Sequence, residues 1–185
     1  MRNERTDRLL AEIKQKMTPR RGYFFLRPGE SAKIEVVSDL DDVVLINVHR
    51  VDGKTVLCEM EANQPRCSHC ESDDIPHSVS VFQIWVEGEG DTVWAVTGVR
   101  GSLVEAIEQV YTTRGVPVSG MKFLVERLDK GYMFSYQGQS NEKRQKFPRD
   151  LLRKRGLEQI ASWSKLPKKS ADTVSTEVTY DEVPF

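Results

Sequence analysis

The chain has 185 residues, 30% of them charged, and a formal net charge of -1 at pH 7. This length suits one domain with appendages and a core that needs no disulfides. No apolar run approaches the ~20 residues of a membrane-spanning helix, and three clustered cysteines do not form the disulfide framework of a secreted domain. The charged N-terminus also lacks the apolar segment of a signal peptide, so we expect a cytoplasmic protein of a bacterium or of a phage-infected one.

The near-neutral total hides a strong charge asymmetry along the chain. Residues 1–21 hold seven Lys or Arg against three acids, and residues 147–169 hold seven against two. Residues 170–185, in contrast, hold four acids and no base. A cationic body with an anionic tail is typical of a protein that binds a polyanion and repels its own tail from it.

The N-terminal arm, residues 1–21, contains apolar residues at helical spacing among basic ones over residues 4–16. This pattern predicts a short, basic, amphipathic helix. Two interpretations stay open: a solvated terminal helix, or an arm that docks on DNA or on a neighbouring copy of the protein.

Eight stretches that follow the arm alternate in polarity, or are rich in β-branched and aromatic residues, between turn residues, and they predict strands. The predicted strands span residues 23–27, 32–37, 43–51, 55–60, 79–86, 92–96, 121–128 and 132–136. The third and fourth strands lie side by side, because Asp52-Gly53 suits a type I′ hairpin. Residues 102–114 have helical spacing instead, and Gly115 predicts the end of that helix.

The order of strands, one helix and a closing hairpin indicates an OB-fold, a five-stranded Greek-key barrel. We therefore predict a mainly β protein with an OB-fold core at residues 22–138, a zinc-binding insertion at about 49–77, one barrel helix and terminal helices. An open β-sandwich is the alternative. Residues 139–163 predict a basic C-terminal helical extension, and residues 164–185 predict a disordered linker with an acidic tail whose tip is 180–185.

The cysteines point to a metal site. Cys67 and Cys70 form a Cys-x-x-Cys knuckle, and Cys58 adds a third thiol from the end of a strand. Zinc prefers four nitrogen and thiolate ligands in structural sites, and the fourth ligand is His49, placed by the hairpin, or else His77. His69 would strain the knuckle. The alternative is a cluster of ordinary thiols or a redox pair. We predict one structural Zn²⁺, and no enzyme, since four protein ligands leave no open position.

Aromatic and basic residues are interleaved on the predicted strands, as in proteins on which single-stranded bases stack while cations follow the phosphates. The residues assigned to nucleic-acid binding are Arg21, Tyr23, Arg27, Trp85, Trp94, Arg100, Lys122, Arg127, Lys130, Tyr132, Phe134 and Tyr136. Alternation puts the three rings at 132, 134 and 136 on one face, so all three are either core or a stacking platform. Which of the two tryptophans belongs to the core stays open. The cationic run at 143–155 extends this groove or is a solvated face.

The tip combines acids, an apolar pair and a terminal carboxylate in Asp181, Glu182, Val183, Pro184 and Phe185. Phe185 can enter a pocket on a partner while a basic rim holds the acids. The same tail can instead lie in the chain's own cationic groove and compete with nucleic acid.

Residues 22–138 resemble the zinc-containing single-stranded DNA-binding proteins of T-even phages. The resemblance lies in Tyr23-Phe24-Phe25-Leu26-Arg27-Pro28-Gly29-Glu30 with Ile34, and in His49, Cys58 and Cys67-Ser68-His69-Cys70 in the family's order. It implies a zinc subdomain on the barrel and aromatics beside a basic cleft that holds the strand. The tip is similar to the Asp-Asp-Ile-Pro-Phe ending of bacterial single-stranded DNA-binding proteins.

These resemblances imply a protein that coats and protects single-stranded DNA in replication, recombination or repair. They also imply that the tip recruits a polymerase, helicase, primase or nuclease, and that the arm, through Arg2, Arg5 and Arg8, mediates cooperative contacts between copies. The alternatives are a zinc-knuckle protein that binds RNA or regulates transcription, and an inhibitor of a host enzyme that does not bind DNA. An enzyme is the weakest hypothesis, because no paired carboxylate, nucleophile or phosphate loop has supporting context.

Overall fold

The computed structural model describes residues 23–62, 64–72, 74–98 and 101–163, so the predicted N-terminal helix and the acidic tail with its tip lie outside the described residues. The strands are β1 (Ser31–Val36), β2 (Val44–Val51), β3 (Lys54–Leu57), β4 (His77–Val86), β5 (Gly90–Thr97), β6 (Met121–Arg127) and β7 (Tyr132–Gln139). The α-helices are α1 (Ser68–Glu71), α2 (Leu103–Arg114) and α3 (Arg149–Trp163), with short 3-10 helices at Leu40–Asp42 and Glu59–Ala62. No helix within the described ranges is long and apolar enough to cross a membrane.

One antiparallel sheet contains the seven strands of the described residues, in the order β3-β2-β4-β1-β6-β7, and β5 pairs with β4. The first half of the ten-residue strand β4 pairs with β2, and its second half pairs with β1. The prediction of a mainly β protein is confirmed. The five-stranded barrel is not confirmed, because the sheet contains seven strands and is not closed.

The predicted first strand, 23–27, reduces to an isolated bridge between Tyr23 and Val93. A turn explains why it stops. The Arg27 amide donates to the Glu30 carboxylate at 2.8 Å, and the Glu30 amide donates to the Arg27 carbonyl at 3.0 Å. These bonds use main-chain groups that a continuing strand would need.

Each face of the sheet buries a separate core, because successive side chains of a strand point to opposite faces. The aromatic core lies under α2 and contains Phe24, Leu26, Ile34, Val36, Phe82, Ile84, Val86, Trp94, Val96, Leu103, Ala106, Ile107, Val110, Val118, Met121, Phe123 and Val125. The aliphatic core lies under α3 and contains Val44, Ile46, Val48, Val79, Val81, Val93, Ala95, Leu152 and Ile160.

Helix α2 follows its predicted bounds closely. The Ser102 hydroxyl accepts a hydrogen bond from the Val104 amide at 3.2 Å, as an N-cap does. Gly115 ends the helix with φ 63°, a left-handed conformation that favours glycine. The helix thus begins and ends where its sequence signals indicate.

The C-terminal extension packs on the sheet as part of the same body. The side-chain amide of Gln159 on α3 accepts from the Ala95 amide at 2.7 Å and donates to the Phe24 carbonyl at 2.9 Å, so it joins β5 to the segment before β1. Gly156 lets α3 approach the sheet closely, since a Cβ there would lie 2.6 Å from Cγ2 of Val81. Helix α3 therefore covers the aliphatic core.

Candidate metal centre and aromatic groove

A tight hairpin brings the first two donors of the metal centre together. Asp52 and Gly53 both have positive φ, 50° and 71°, as the predicted type I′ turn requires. His49 on β2 pairs with Val56 on β3, and the Cys58 amide donates to the Asn47 carbonyl at 3.0 Å just beyond that ladder. Cys58 therefore lies two residues beyond the partner of His49, so the imidazole and the thiol are diagonal neighbours on one face of the hairpin.

The knuckle places the other two donors at the ends of one helical turn, α1. The Glu71 amide donates to the Cys67 carbonyl at 3.0 Å. No side-chain cap comes from Cys67 itself; instead Glu59 accepts from the Ser68 amide at 2.7 Å. That backbone hydrogen bond lowers the pKa of Glu59. A carboxylate from the preceding 3-10 helix thus fixes the start of the knuckle.

The four donor atoms of His49, Cys58, Cys67 and Cys70 all lie within 4.8 Å of one another. Nε2 of His49 is 3.4 Å from Sγ of Cys67 and 3.5 Å from Sγ of Cys70, and Sγ of Cys58 is 3.8 Å from Sγ of Cys70. A tetrahedral zinc ion with ordinary bond lengths separates two sulfurs by about 3.8 Å and a sulfur from a nitrogen by about 3.5 Å. The group can therefore bind a metal ion such as zinc.

The group is largely enclosed, and its histidine is His49. His49, Cys58 and Cys67 are buried, and Cys70 is half-buried. His69 lies beside the centre, with ring centroids 5.3 Å apart from His49, but it contributes no donor to the group. His77, the other histidine that the sequence left open, is exposed at the start of β4 and is also not a member.

Asp74 orients the imidazole, a role that the sequence analysis missed. Its Oδ2 lies 3.2 Å from Nδ1 of His49, which leaves Nε2 directed at the sulfurs. Carboxylates commonly hold the outer nitrogen of a metal-binding histidine in this way. A carboxylate close to the knuckle was the available signal, but the sequence does not show which one reaches His49.

The thiols of Cys67 and Cys70 differ in acidity. Burial raises the pKa of Cys67, but hydrogen bonds from backbone groups, including that of Cys70, outweigh it and lower the pKa to about 6. Burial raises the pKa of Cys70, and the neighbouring Cys58 and Cys67 raise it further, to about 12. Deprotonation of Cys70 therefore needs a cation nearby, such as a metal ion that displaces protons from its ligands on binding.

The 3-10 helix that follows Cys58, Glu59–Ala62, also contacts helix α3. Glu61, in the 3-10 helix after Cys58, accepts from the Asn47 amide at 3.0 Å. Arg153 on α3 donates to the Glu61 carboxylate and, at 3.2 Å, to its carbonyl. The loop that holds Cys58 is therefore fixed on both sides.

The residues predicted to bind nucleic acid do not converge on one surface. Tyr132, Phe134 and Tyr136 share one face of β7, as alternation predicted, and all three are half-buried against the aromatic core. Trp94 is only 4% exposed, so its assignment to the binding surface is corrected. Its ring packs between Phe24 and Phe134, at centroid distances of 4.8 and 5.8 Å, because its position on β5 faces α2.

The three rings of β7 line a groove that α2 bounds on the other side, with a volume of about 740 Å³. Guanidinium groups lie over the outer rings: Arg127 is 4.5 Å from the centroid of Tyr132, and Arg114 is 5.0 Å from that of Tyr136. Burial raises the pKa of Tyr132. We call this space, bounded by α2 and β7, the aromatic groove. Glu105 and Glu108 of α2 also line it.

Trp85 and Lys122 lie on the opposite face of the sheet, beside Glu35. The Arg144 guanidinium covers the Trp85 ring at 4.0 Å and donates from Nη2 to the Glu35 carboxylate at 3.0 Å. That hydrogen bond raises the pKa of Arg144. At least one face of the Trp85 ring is thus already occupied by the chain itself.

The remaining assigned residues are scattered. Tyr23 is half-buried and packs against the aliphatic core, while Arg27 and Lys130 are exposed. Arg21 and Arg100 lie outside the described residues. Within the described ranges, the assigned residues that lie together are therefore the three rings of β7 and Arg127 beside them.

Most of the cationic run at 143–155 forms contacts within the chain. Lys146 binds the carboxylates of Asp39 at 2.7 Å and Asp42 at 2.6 Å. The hydrogen bond with Asp39 raises the pKa of Lys146, and the hydrogen bond with Lys146 lowers that of Asp42. Arg155 lies 4.5 Å from the centroid of the Phe147 ring. These contacts fasten the segment before α3, residues 140–148, which we call the strap, to the sheet.

Comparison with known proteins identifies no relative of this chain. No protein-family model, curated protein or solved structure matches the chain. A function has to be argued from the geometry of the metal centre, the aromatic groove and the surrounding charges.

Proposed function

We propose that the chain binds single-stranded DNA with little sequence preference, coating and protecting it in replication, recombination or repair. The observation that carries the proposal is the row of half-buried rings Tyr132, Phe134 and Tyr136 along an open groove, with Arg127 and Arg114 over the outer two. Bases stack on exposed aromatic faces at roughly 1–3 kcal/mol each, and guanidinium groups neutralise the phosphates. Lys130, exposed in the turn before β7, extends the cationic border.

The fold is compatible with a variant of the OB arrangement. Strand β1 pairs with β4 on one side and β6 on the other, and α2 precedes the final hairpin. The bridge from Tyr23 to Val93 brings the segment before β1 against β5, where a closed barrel would have a further strand. In this proposal the groove along β7 is the path of the DNA strand.

The metal centre supplies structure in this proposal, and zinc is its ion. Three thiolates and one imidazole fill a tetrahedral shell and leave no position for water or substrate. The ion would join the β2–β3 hairpin to the knuckle. Thiols stay reduced, and so able to bind a metal, in the cytoplasm of a bacterial cell. We therefore propose that the protein acts there, including in a phage-infected cell.

The segments outside the described residues complete the proposal. The tip at 180–185 recruits replication or recombination proteins through its acids and Phe185. The basic arm at 1–21 mediates contacts between copies along DNA. Deleting residues 180–185 is expected to leave or raise DNA affinity while removing partner recruitment.

A titration of fluorescently labelled oligo-dT, followed by anisotropy at two salt concentrations, tests the proposal. Affinity is expected to fall as salt rises, since bound counterions are released. Replacing Tyr136→Leu should weaken binding by about fivefold to 150-fold, the loss of one stacked base. Trp85→Leu is the matched control, because that ring lies on the other face of the sheet and does not line the aromatic groove.

Two results would reject DNA binding through the groove. One is an affinity that does not change with salt, and the other is a Trp85→Leu variant as impaired as Tyr136→Leu. Parallel titrations with matched RNA and with duplex DNA decide between a single-stranded DNA protein and the RNA-binding alternative.

One observation favours a second candidate, a protein that binds another protein instead of DNA. Glu105 and Glu108 line the same groove as the rings, and their carboxylates repel phosphates. An absence of oligonucleotide binding at low salt would promote this candidate.

A further inference from the structure

The edges of the sheet differ in how they are protected. An exposed edge strand presents unpaired main-chain groups, and proteins usually shorten it, charge it or cover it. Strand β3 has four residues and begins with Lys54. The outer edge of β5 is covered, since the Phe24 amide donates to the Val93 carbonyl at 2.7 Å and Gln159 accepts from the Ala95 amide.

Strand β7 has none of these protections among the described residues. Its eight residues, YMFSYQGQ, include no charge and no proline, and its only strand partner in the described ranges is β6. The pairing is regular from Tyr132 to Tyr136, before a bulge opposite Lys122 and Phe123. An uncharged segment of five residues with regular register is thus available for pairing.

The turn before β7 determines which main-chain groups point outward. The Leu128 amide donates to the Gly131 carbonyl at 3.1 Å. Because hydrogen-bonded and non-hydrogen-bonded pairs alternate in an antiparallel ladder, Met133 and Ser135 direct their main-chain groups to β6. Tyr132, Phe134 and Tyr136 therefore direct theirs to the free edge.

We propose that β7 pairs with β7 of a second copy of this chain, antiparallel and two-fold symmetric about Phe134. The outward groups fit this register, since Phe134 faces its own counterpart and Tyr132 faces Tyr136 of the second copy. About six main-chain hydrogen bonds form, two for each of three hydrogen-bonded pairs. The rings of the second copy enter the aromatic groove, because their side chains lie on the same face of the extended sheet.

Charge favours the same arrangement. Helix α2 runs in the direction of β7: Ser102, at its start, shares a cavity with Tyr132, and Arg114, at its end, lies over Tyr136. A two-fold axis through Phe134 therefore sets the acidic half of α2, with Glu105 and Glu108, opposite Arg114 of the second copy. Opposite charges then meet twice, once on each side of the axis.

Two exposed positions on the other face test the register. Met133, 47% exposed, and Ser135 are both solvent-accessible. In the proposed dimer, Met133 of each copy lies opposite Ser135 of the other copy. The variant Met133→Lys with Ser135→Lys puts like charges opposite one another in two cross-strand pairs. The variant Met133→Lys with Ser135→Glu changes the same positions but puts opposite charges there.

Sedimentation equilibrium of the full chain, from about 1 to about 100 µM, measures the association. We expect a monomer–dimer equilibrium for the unchanged chain, at least a tenfold weaker dimer for the Lys/Lys variant, and an unchanged or tighter dimer for the Lys/Glu variant. A chain that stays monomeric over the whole range overturns the proposal. A Lys/Glu variant that dissociates as readily as Lys/Lys also overturns it, because both carry the same replacements in number and place.

This pairing does not depend on DNA binding, but the two would compete. Both use the rings at 132, 134 and 136, so if the chain binds DNA, added oligo-dT should convert dimers into monomer–DNA complexes. A chain that dimerises without binding oligo-dT refutes the proposed function alone, and one that binds oligo-dT without dimerising refutes the pairing alone.

Discussion

The metal centre and the aromatic groove occupy different ends of one sheet, and they differ in how many roles their residues can fill. Three thiols and an imidazole whose donor atoms lie within 4.8 Å of one another have one strong use, which is to hold a metal ion. The rings of the groove already contribute to a core, and only their remaining exposed parts face solvent. Residue types with a narrow chemistry therefore identify a site more directly than residues that suit a core as well as a surface.

Removing the metal should cause the largest loss of stability among these tests, and the loss should be confined to the end of the sheet that holds the metal centre. Structural zinc contributes about 10–16 kcal/mol of binding free energy in small zinc domains, and here the two apolar cores remain without it. A chelator with a reductant, or Cys67→Ser, is expected to lower the melting temperature and to abolish bound zinc in elemental analysis. Hydrogen exchange should accelerate over residues 49–77, while β6 and β7 stay protected.

His69→Ala and His77→Ala serve as controls for metal removal, since neither residue belongs to the donor group. Both variants should retain one zinc ion per chain. Unchanged zinc content in Cys67→Ser would refute the site. Equal loss of protection at β7 would refute the independence of the two ends.

A second test concerns Arg144, another residue type with two possible roles. Sequence left its cationic run open as a binding surface or a solvated face, but Arg144 binds Glu35, which is 2% exposed. Removing one partner of a buried ion pair costs about 3–5 kcal/mol, because the other charge stays buried alone. The free energy of unfolding of Arg144→Met, measured with urea, should be lower than that of the unchanged chain by this amount.

The matched control removes a similar charge from an exposed pair. Lys33 and Glu87 are 3.3 Å apart, with side chains 62% and 58% exposed. Lys33→Met is expected to change stability by about 1 kcal/mol or less. If Arg144→Met were as mild as Lys33→Met, the strap would be a solvated face, and the cationic run would again be free for a ligand.

The sequence predicted the elements that local signals specify. The β2–β3 hairpin follows from Asp52-Gly53, and α2 follows from Ser102 and Gly115. It missed the contacts that join distant segments, such as Asp74 to His49, 25 residues apart, and Arg144 to Glu35, 109 residues apart. Such pairs depend on how the elements pack in three dimensions, and no periodicity in one segment encodes them.

The burial of the aromatic residues was only half predictable for a related reason. Alternation correctly placed the three rings of β7 on one face, but it could not show that this face belongs to the aromatic core. Trp94 lies on the face under α2 and belongs to the aromatic core, whereas Trp85 lies on the other face under Arg144, and the strand pattern alone does not show what covers each face. The strand at 23–27 failed because the carboxylate of Glu30 takes the amide of Arg27.

Phe134→Ala tests how much of the groove is core. Its ring packs against Trp94 and Phe123, at centroid distances of 5.8 and 6.2 Å. A fully buried Phe→Ala replacement costs about 3–5 kcal/mol, and half-burial reduces this to about 2–3 kcal/mol. The melting temperature should fall by about 4–12 °C, with zinc content unchanged.

Phe25→Ala is the comparison for Phe134→Ala, because Phe25 is 40% exposed and not part of the aromatic core. It should cost less than half as much. A Phe134→Ala variant that kept full stability would show that the ring is a surface platform, and the contrast between the two ends of the sheet would then disappear.

Asp74→Asn is expected to have the smallest effect on the fold, and it separates orientation from ligation at the metal centre. The amide keeps the shape of the side chain but lacks the charge that holds Nδ1 of His49 at 3.2 Å. Loss of such an orienting carboxylate weakens metal binding by about 10–100-fold, which a competition titration with a chromogenic zinc chelator can measure. Glu71→Gln is the matched control, since that carboxylate is at the end of α1, three residues before Asp74, and pairs with exposed Arg66 at 3.8 Å. Equal zinc affinities for the two variants would mean that burial alone fixes the imidazole, whereas a loss confined to Asp74→Asn would identify the carboxylate as the group that aims His49 at the three sulfurs.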